Sequence, residues 1–108
     1  MPQAPTNQKP KTATTKNLTV VLRSEPANPH ICFAAPHFRA APGDIVDFQF
    51  PEQPDADIIF MGASPFGTRV FKPGRQTVRT DAPSRSYGYL VQWESAGGGN
   101  GNGGGEVP

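Results

Sequence analysis

The residues best suited to chemistry lie in one short stretch, His30-x-Cys32-x4-His37. In an extended segment His30 and Cys32 stand two residues apart and share a face. His37 can return to them after the Ala34-Ala35-Pro36 bend. Two imidazoles and a thiolate, with Met61 as a fourth soft donor, form a set suited to Cu(I), or to Zn(II) without the Met. The same residues offer a second chemistry, in which Cys32 acts as a nucleophile with His30 or His37 as its base. The spacing matches no zinc signature, and no carboxylate lies nearby in sequence to orient the base. The plainer reading is a small apolar Cys32 and two solvated histidines, with no metal and no catalytic residue.

The carboxylates Asp44, Asp47, Glu52, Asp55 and Asp57 are numerous, but nothing marks two of them as an acid/base pair. No phosphate-binding loop, nucleophile elbow or zinc-protease helix is present. Charge placement is more informative. Asp44 to Asp57 holds five acids and no base, whereas Arg69, Lys72, Arg75, Arg79 and Arg85 share a stretch with Asp81 alone. The plainer expectation is that these stretches face each other as surface pairs worth little energy. The functional expectation is a basic face that meets an acidic or phosphorylated protein partner.

These residues need a frame, and the sequence implies a β frame. The chain has 108 residues and 13 prolines, and no apolar period of 3.6 is sustained. Period two is clear in Leu18, Val20 and Leu22, and again in Val46, Phe48 and Phe50. It recurs in Arg75–Thr80, where Gln76, Val78 and Thr80 alternate with Arg75, Thr77 and Arg79, and in Tyr87, Tyr89, Val91 and Trp93. Pro42-Gly43-Asp44 and Lys72-Pro73-Gly74 are turn signals. Asp57–Met61 reads as an apolar run buried on both sides or lying under a loop. The Gly62–Gly67 loop, with Met61 before it, either presents an apolar knob or tucks Phe66 inward; the inward reading is favoured. About seven short strands with turn signals every 8–12 residues predict a Greek-key β-sandwich or small barrel. Leu18, Val20, Phe48, Phe60, Val78, Tyr89 and Trp93 are the leading core candidates.

Both ends read as disordered. Residues 1–16 hold three prolines, three lysines and no large apolar residue after Met1. Residues 96–108 hold seven of the twelve glycines and read as a flexible tail. The domain is therefore expected over 17–95. A net charge of +1 gives no global field for nucleic acid. No run of about 20 apolar residues offers a membrane span. As written the chain lacks an apolar leader and one cysteine excludes an intrachain disulfide, so a cytoplasmic protein is expected. The alternative is a secreted or periplasmic protein whose leader has been removed. An exposed edge at Asn17–Arg23 would permit a weak dimer of an otherwise monomeric domain.

Phe33-Ala34-Ala35-Pro36, followed by Phe38-x-Ala40-x-Pro42-Gly43-Asp44-x-Val46-x-Phe48, resembles the early part of a cupredoxin. Asp57-Ile58-Ile59-Phe60 with Ser64-Pro65-Phe66-Gly67 resembles the family's fourth strand and the loop after it. Phe71-x-Pro73-Gly74 with Tyr87-Gly88-Tyr89 resembles its closing hairpin. The resemblance spans about Leu18 to Trp93. It implies a copper site that takes one His from just before the fourth strand. The Cys, second His and axial Met would come from the end of the last strand and the loop beyond. Here those places carry Ala56 and Leu90–Glu94, followed by Ser95, Ala96 and glycines. The resemblance thus implies a copper-free cupredoxin-like domain, with the Gly62–Gly67 loop at the end where a metal would bind. Such a domain is expected to be a non-enzymatic structural or protein-interaction module without a cofactor. The alternative is a copper-binding or redox protein that uses His30, Cys32 and His37.

Overall fold

The computed structural model describes residues 15–25, 27–33, 37–94 and 97–108, with the side chains of 29–33 excepted. The described chain is all β, with ten strands in two sheets. They are β1 (Asn17–Val21), β2 (Arg23–Glu25), β3 (Asn28–Phe33), β4 (Phe38–Arg39) and β5 (Ile45–Gln49). Then come β6 (Asp57–Phe60), β7 (Val70–Phe71), β8 (Gly74–Thr77), β9 (Arg85–Trp93) and β10 (Gly99–Val107). The smaller sheet runs β1-β5-β8, with β1 parallel and β8 antiparallel to β5. The larger runs β2-β3-β10-β9-β6-β7, and β4 joins it alongside β10. The chain changes sheets between β1 and β2 at Leu22, which is buried and donates its N–H to Gln49 O at 2.7 Å.

Alternation explains β5. Val46 and Phe48 point into the core, while Asp47 and Gln49 lie on the wetter side. The strand starts from a tied turn. Gly43 takes a positive φ of 91°, and the buried Asp44 carboxylate accepts N–H bonds from Lys16 and Ala41 at 3.1 and 2.9 Å. Phe48 then joins the sheets. Its ring lies 5.3–6.0 Å from those of Phe38, Phe66, Phe71 and Tyr89. Such offset and edge-on pairs add to plain area burial. Phe66 therefore tucks inward, as favoured from sequence, whereas Met61 beside it is exposed. All the leading core candidates are buried except Leu18, which packs against the core half-buried.

Three expectations need correction. β6 is buried on one side only: Ile58 and Phe60 face the core, while Asp57 and Ile59 are half-buried on the other face. Arg75–Thr80 is strand only as far as Thr77, with Val78 buried just beyond. The largest correction is the C-terminal stretch. Gly99–Val107 is not a flexible tail but a nine-residue strand, paired with β9 from Gly99↔Trp93 to Val107↔Arg85. The closing hairpin is accordingly β9–β10, since β7 pairs with β6 and β8 with β5. The predicted N-terminal tail, 1–16, lies outside the described residues up to residue 14.

The glycines of β10 are there because rings occupy their side-chain positions. A Cβ on Gly103 would meet the Tyr89 hydroxyl oxygen at 2.5 Å, and one on Gly105 would enter the Phe38 ring. Both residues face inward, whereas Asn100 and Asn102 are exposed on the opposite side. We expect Gly105→Ala to destabilise the domain by about 1–3 kcal/mol in chemical denaturation, because the core must shift to admit the methyl group. Asn102→Ala should change stability by no more than about 0.5 kcal/mol. A Gly105→Ala protein as stable as wild type would contradict this packing.

Candidate functional site

Two surfaces of the larger sheet bring candidate residues together. The first is a cleft of about 420 Å³ lined by Asp55, Asp57, Lys72, Gln92, Trp93, Glu94, Gly99 and Asn100. Antiparallel pairing of β6 with β9 sets Asp57 opposite Gln92, and β9–β10 pairing sets Gln92 opposite Asn100. Asp55 and Glu94 are added by the segments that flank β6 and β9. Lys72 is the one cation of the lining. Its ammonium donates to Asp57 Oδ1 and to Asp55 O, both at 2.9 Å. The hydrogen bond to Asp57 raises the Lys72 pKa above the ordinary lysine value, with further help from the charges of Asp57 and Asp55. Trp93 backs the cleft, packed edge-on against Phe50 at 5.2 Å. None of the lining residues is a Ser, Thr, Cys or His. Carboxylates and amides there suit the holding of a polar or cationic group rather than nucleophilic attack.

Ala56 leads into β6 and is fully buried, and Gln92 and Trp93 end β9 beside it, with Glu94 next in the chain. The Gly62–Gly67 loop follows the other end of β6, where Phe60 pairs with Tyr89. It therefore lies at the opposite end of that strand from Ala56, contrary to expectation.

The second surface is the outer face of the same sheet. Val70 lies opposite Ile59, Ile59 opposite Leu90, and Leu90 opposite Asn102, which forms an apolar row across three strands. The next row is Met61, Gly88, Gly104 and His37. The Met61 N–H bonds to Gly88 O at 3.0 Å, Gly88 pairs with Gly104, and β4 runs alongside from Phe38↔Gly105. The Met61 methyl lies 3.0 Å, and His37 Nδ1 3.7 Å, from where Cβ atoms on Gly88 and Gly104 would stand. The two glycines thus form a low floor between a thioether and an imidazole. Met61 and Val70 are 53% and 49% exposed, the two large apolar residues most open to solvent among those described. The imidazole Nε2 lies 3.7 Å from a Glu106 carboxylate oxygen, and Arg39 bonds the other oxygen at 2.9 Å.

The remaining sequence candidates are dispersed. The backbones of His30 and Cys32 lie on β3, with Cys32 opposite Ser24; their side chains lie outside the described residues. Among the described residues no three His, Cys, Asp or Glu side chains form a metal-holding group. His37 and Met61 share a face but sit three strand spacings apart, about 14 Å between backbones.

The five cations do not form one face either. Lys72 is level with Asp57 and Gln92, whereas Arg85 lies seven residues earlier than Gln92 on β9, about 23 Å along the strand. Arg75 is on the smaller sheet, opposite Asp47. Arg79 grips Asp81 with two bonds of 2.9 Å. The Arg69 Nε donates to Phe60 O at 3.3 Å, and Arg85 lies over the Tyr87 ring, 5.2 Å from its centre. The plainer expectation, acids and bases paired across strands, fits the Lys72–Asp57 ion pair, and Asp47 and Arg75 face each other in register.

The sequence reading passed over Ile59, Val70 and Leu90 as a surface. Their signal is register, since only strand pairing aligns three residues so far apart in sequence. No helix among the described residues is long and apolar enough to cross a membrane. The chain matches no protein-family model and no curated protein.

Asp57→Asn should lower the Lys72 pKa toward the ordinary lysine value, as read from its NMR titration. Because the pair raises a lysine pKa, its effect on stability is complete at neutral pH and is lost only as pH rises through that raised value. An unchanged Lys72 titration in the variant would rule out the pair in solution.

Proposed function

We propose that this domain is a non-enzymatic protein-interaction module with a copper-free cupredoxin-like fold, and that it binds through the outer face of its larger sheet. The observation that carries the reading is the adjacency of Met61 and Val70 with Ile59 and Leu90. Scattered exposed apolar residues need no explanation, but a contiguous group marks a contact site. Met adapts its shape to a partner, and the Met61 methyl lies directly over Gly88. The basic residues contribute less, because register spreads them and acids or carbonyl groups engage Arg69, Lys72, Arg79 and Arg85.

Two observations support the fold assignment. The stretch before β6 and the end of β9 meet at one end of the sandwich, as the family resemblance requires, and carry Ala56, Asp57, Gln92, Trp93 and Glu94 there. The Tyr87 hydroxyl donates to Pro83 O at 2.8 Å, four residues upstream, a corner that recurs in Greek-key sandwiches.

A copper or redox role is the second reading, and it rests on the His30-x-Cys32-x4-His37 spacing in the sequence. A copper and zinc titration of the reduced protein separates the two. Stoichiometric binding with shifts confined to His30, Cys32, His37 and Met61 supports the metal role.

The interaction role is tested with a Met61→Glu/Val70→Glu protein. Both positions are exposed, so thermal unfolding should move little. Proteins retained by the immobilised wild-type domain should be lost from this variant and kept by Arg75→Glu. Equal retention by wild type and the double variant would exclude the outer face.

A further inference from the structure

β10 contains Asn100-Gly101 and Asn102-Gly103. Asparagine before glycine is the dipeptide most prone to self-modification, because glycine offers no side chain to hinder approach. The glycine amide nitrogen attacks the asparagine side-chain carbonyl carbon and a five-membered imide forms. Ammonia leaves, carrying the amide proton. Water then opens either C–N bond of the imide, giving aspartate or isoaspartate. Both asparagine side chains are exposed, so the step depends on the glycine N–H.

Strand geometry shows where those N–H groups point. Ala40 N–H bonds to Glu106 O at 3.1 Å, so the even residues of β10 direct their backbone polar groups toward β4. Met61 N–H bonds to Gly88 O, so the even residues of β9 face β6. Along a strand the direction alternates, and facing residues of an antiparallel pair exchange bonds at every second position. The odd residues of both strands therefore face each other. Gly101↔Val91 and Gly103↔Tyr89 are hydrogen-bonded pairs, with each glycine N–H held by a β9 carbonyl.

We propose that Asn100 and Asn102 are self-deamidation sites latched by the β9–β10 ladder, so that modification records each opening of β10 and makes it permanent. The isoaspartate product cannot simply close again. Isoaspartate adds one atom to the backbone, and a slip in register turns a strand's side chains to the wrong face. The ring-filled positions opposite Tyr89 and Phe38 accept only glycine without a shift of the core. At Asn100 either product also adds a carboxylate to the cleft that already holds Asp55, Asp57 and Glu94.

The test incubates the full chain at mildly alkaline pH, folded and in guanidinium chloride, and follows tryptic peptides by mass spectrometry. Deamidation at Asn100 and Asn102 should be at least about tenfold slower in the folded protein, since it proceeds only from the open fraction. Val107→Ala removes the buried anchor at the end of β10 and should raise the rate toward that of the unfolded chain. Equal rates in the folded and unfolded protein would overturn the proposal. So would a Val107→Ala rate no faster than wild type.

Discussion

The fold depends on a close approach that only glycine permits. β10 runs through the middle of the larger sheet, and at Gly103 and Gly105 its backbone lies against the Tyr89 and Phe38 rings. Glycine in a strand costs conformational entropy and contributes no packing of its own. Here the rings supply the missing contact, as aromatic neighbours do when they cover a strand glycine. Tyr89 and Phe38 also touch Phe48 of the smaller sheet, at 5.7 and 6.0 Å between ring centres. The same rings thus seat the glycine strand on one side and join the two sheets on the other.

Both candidate surfaces follow from that strand. Its first residues, Gly99 and Asn100, complete the carboxylate cleft at the end of β9. Farther along, Gly104 lies beside Gly88 and opens the floor between Met61 and His37. Alternation divides the labour beyond them: Gly103, Gly105 and Val107 turn to the core, and Asn102, Gly104 and Glu106 to the other face. A substitution at one of the former should therefore act through stability, and one at Asn102 or Glu106 through the surface.

Much of the frame was legible in the sequence. Val46-x-Phe48-x-Phe50 and Tyr87-x-Tyr89-x-Val91-x-Trp93 announced β5 and β9, because apolar residues mark a buried face at period two. The C-terminal strand was not legible by that criterion, since glycine registers neither as apolar nor as a strand former. Its composition is that of a linker, yet its order is that of a strand. Gly101, Gly103, Gly105 and Val107 alternate with Asn100, Asn102 and Glu106 around a single Gly104. The two inward tyrosines of β9 were the matching half of that signal. The surfaces were less legible still. Five cations close in sequence suggested one basic face, but the turns between β7, β8 and β9 place them on different sheets and at different ends. The apolar row Val70–Ile59–Leu90 exists only through pairing, and no local pattern anticipates it.

The most direct test of the account is amide hydrogen exchange at Gly101, Gly103 and Gly105 in the folded protein. If β10 is a central strand, these amides are protected to a degree similar to those of Tyr89 and Val91 across the ladder. Glycine amides that exchange as fast as those of a free peptide, with β9 still protected, would return residues 96–108 to a flexible tail and contradict the account.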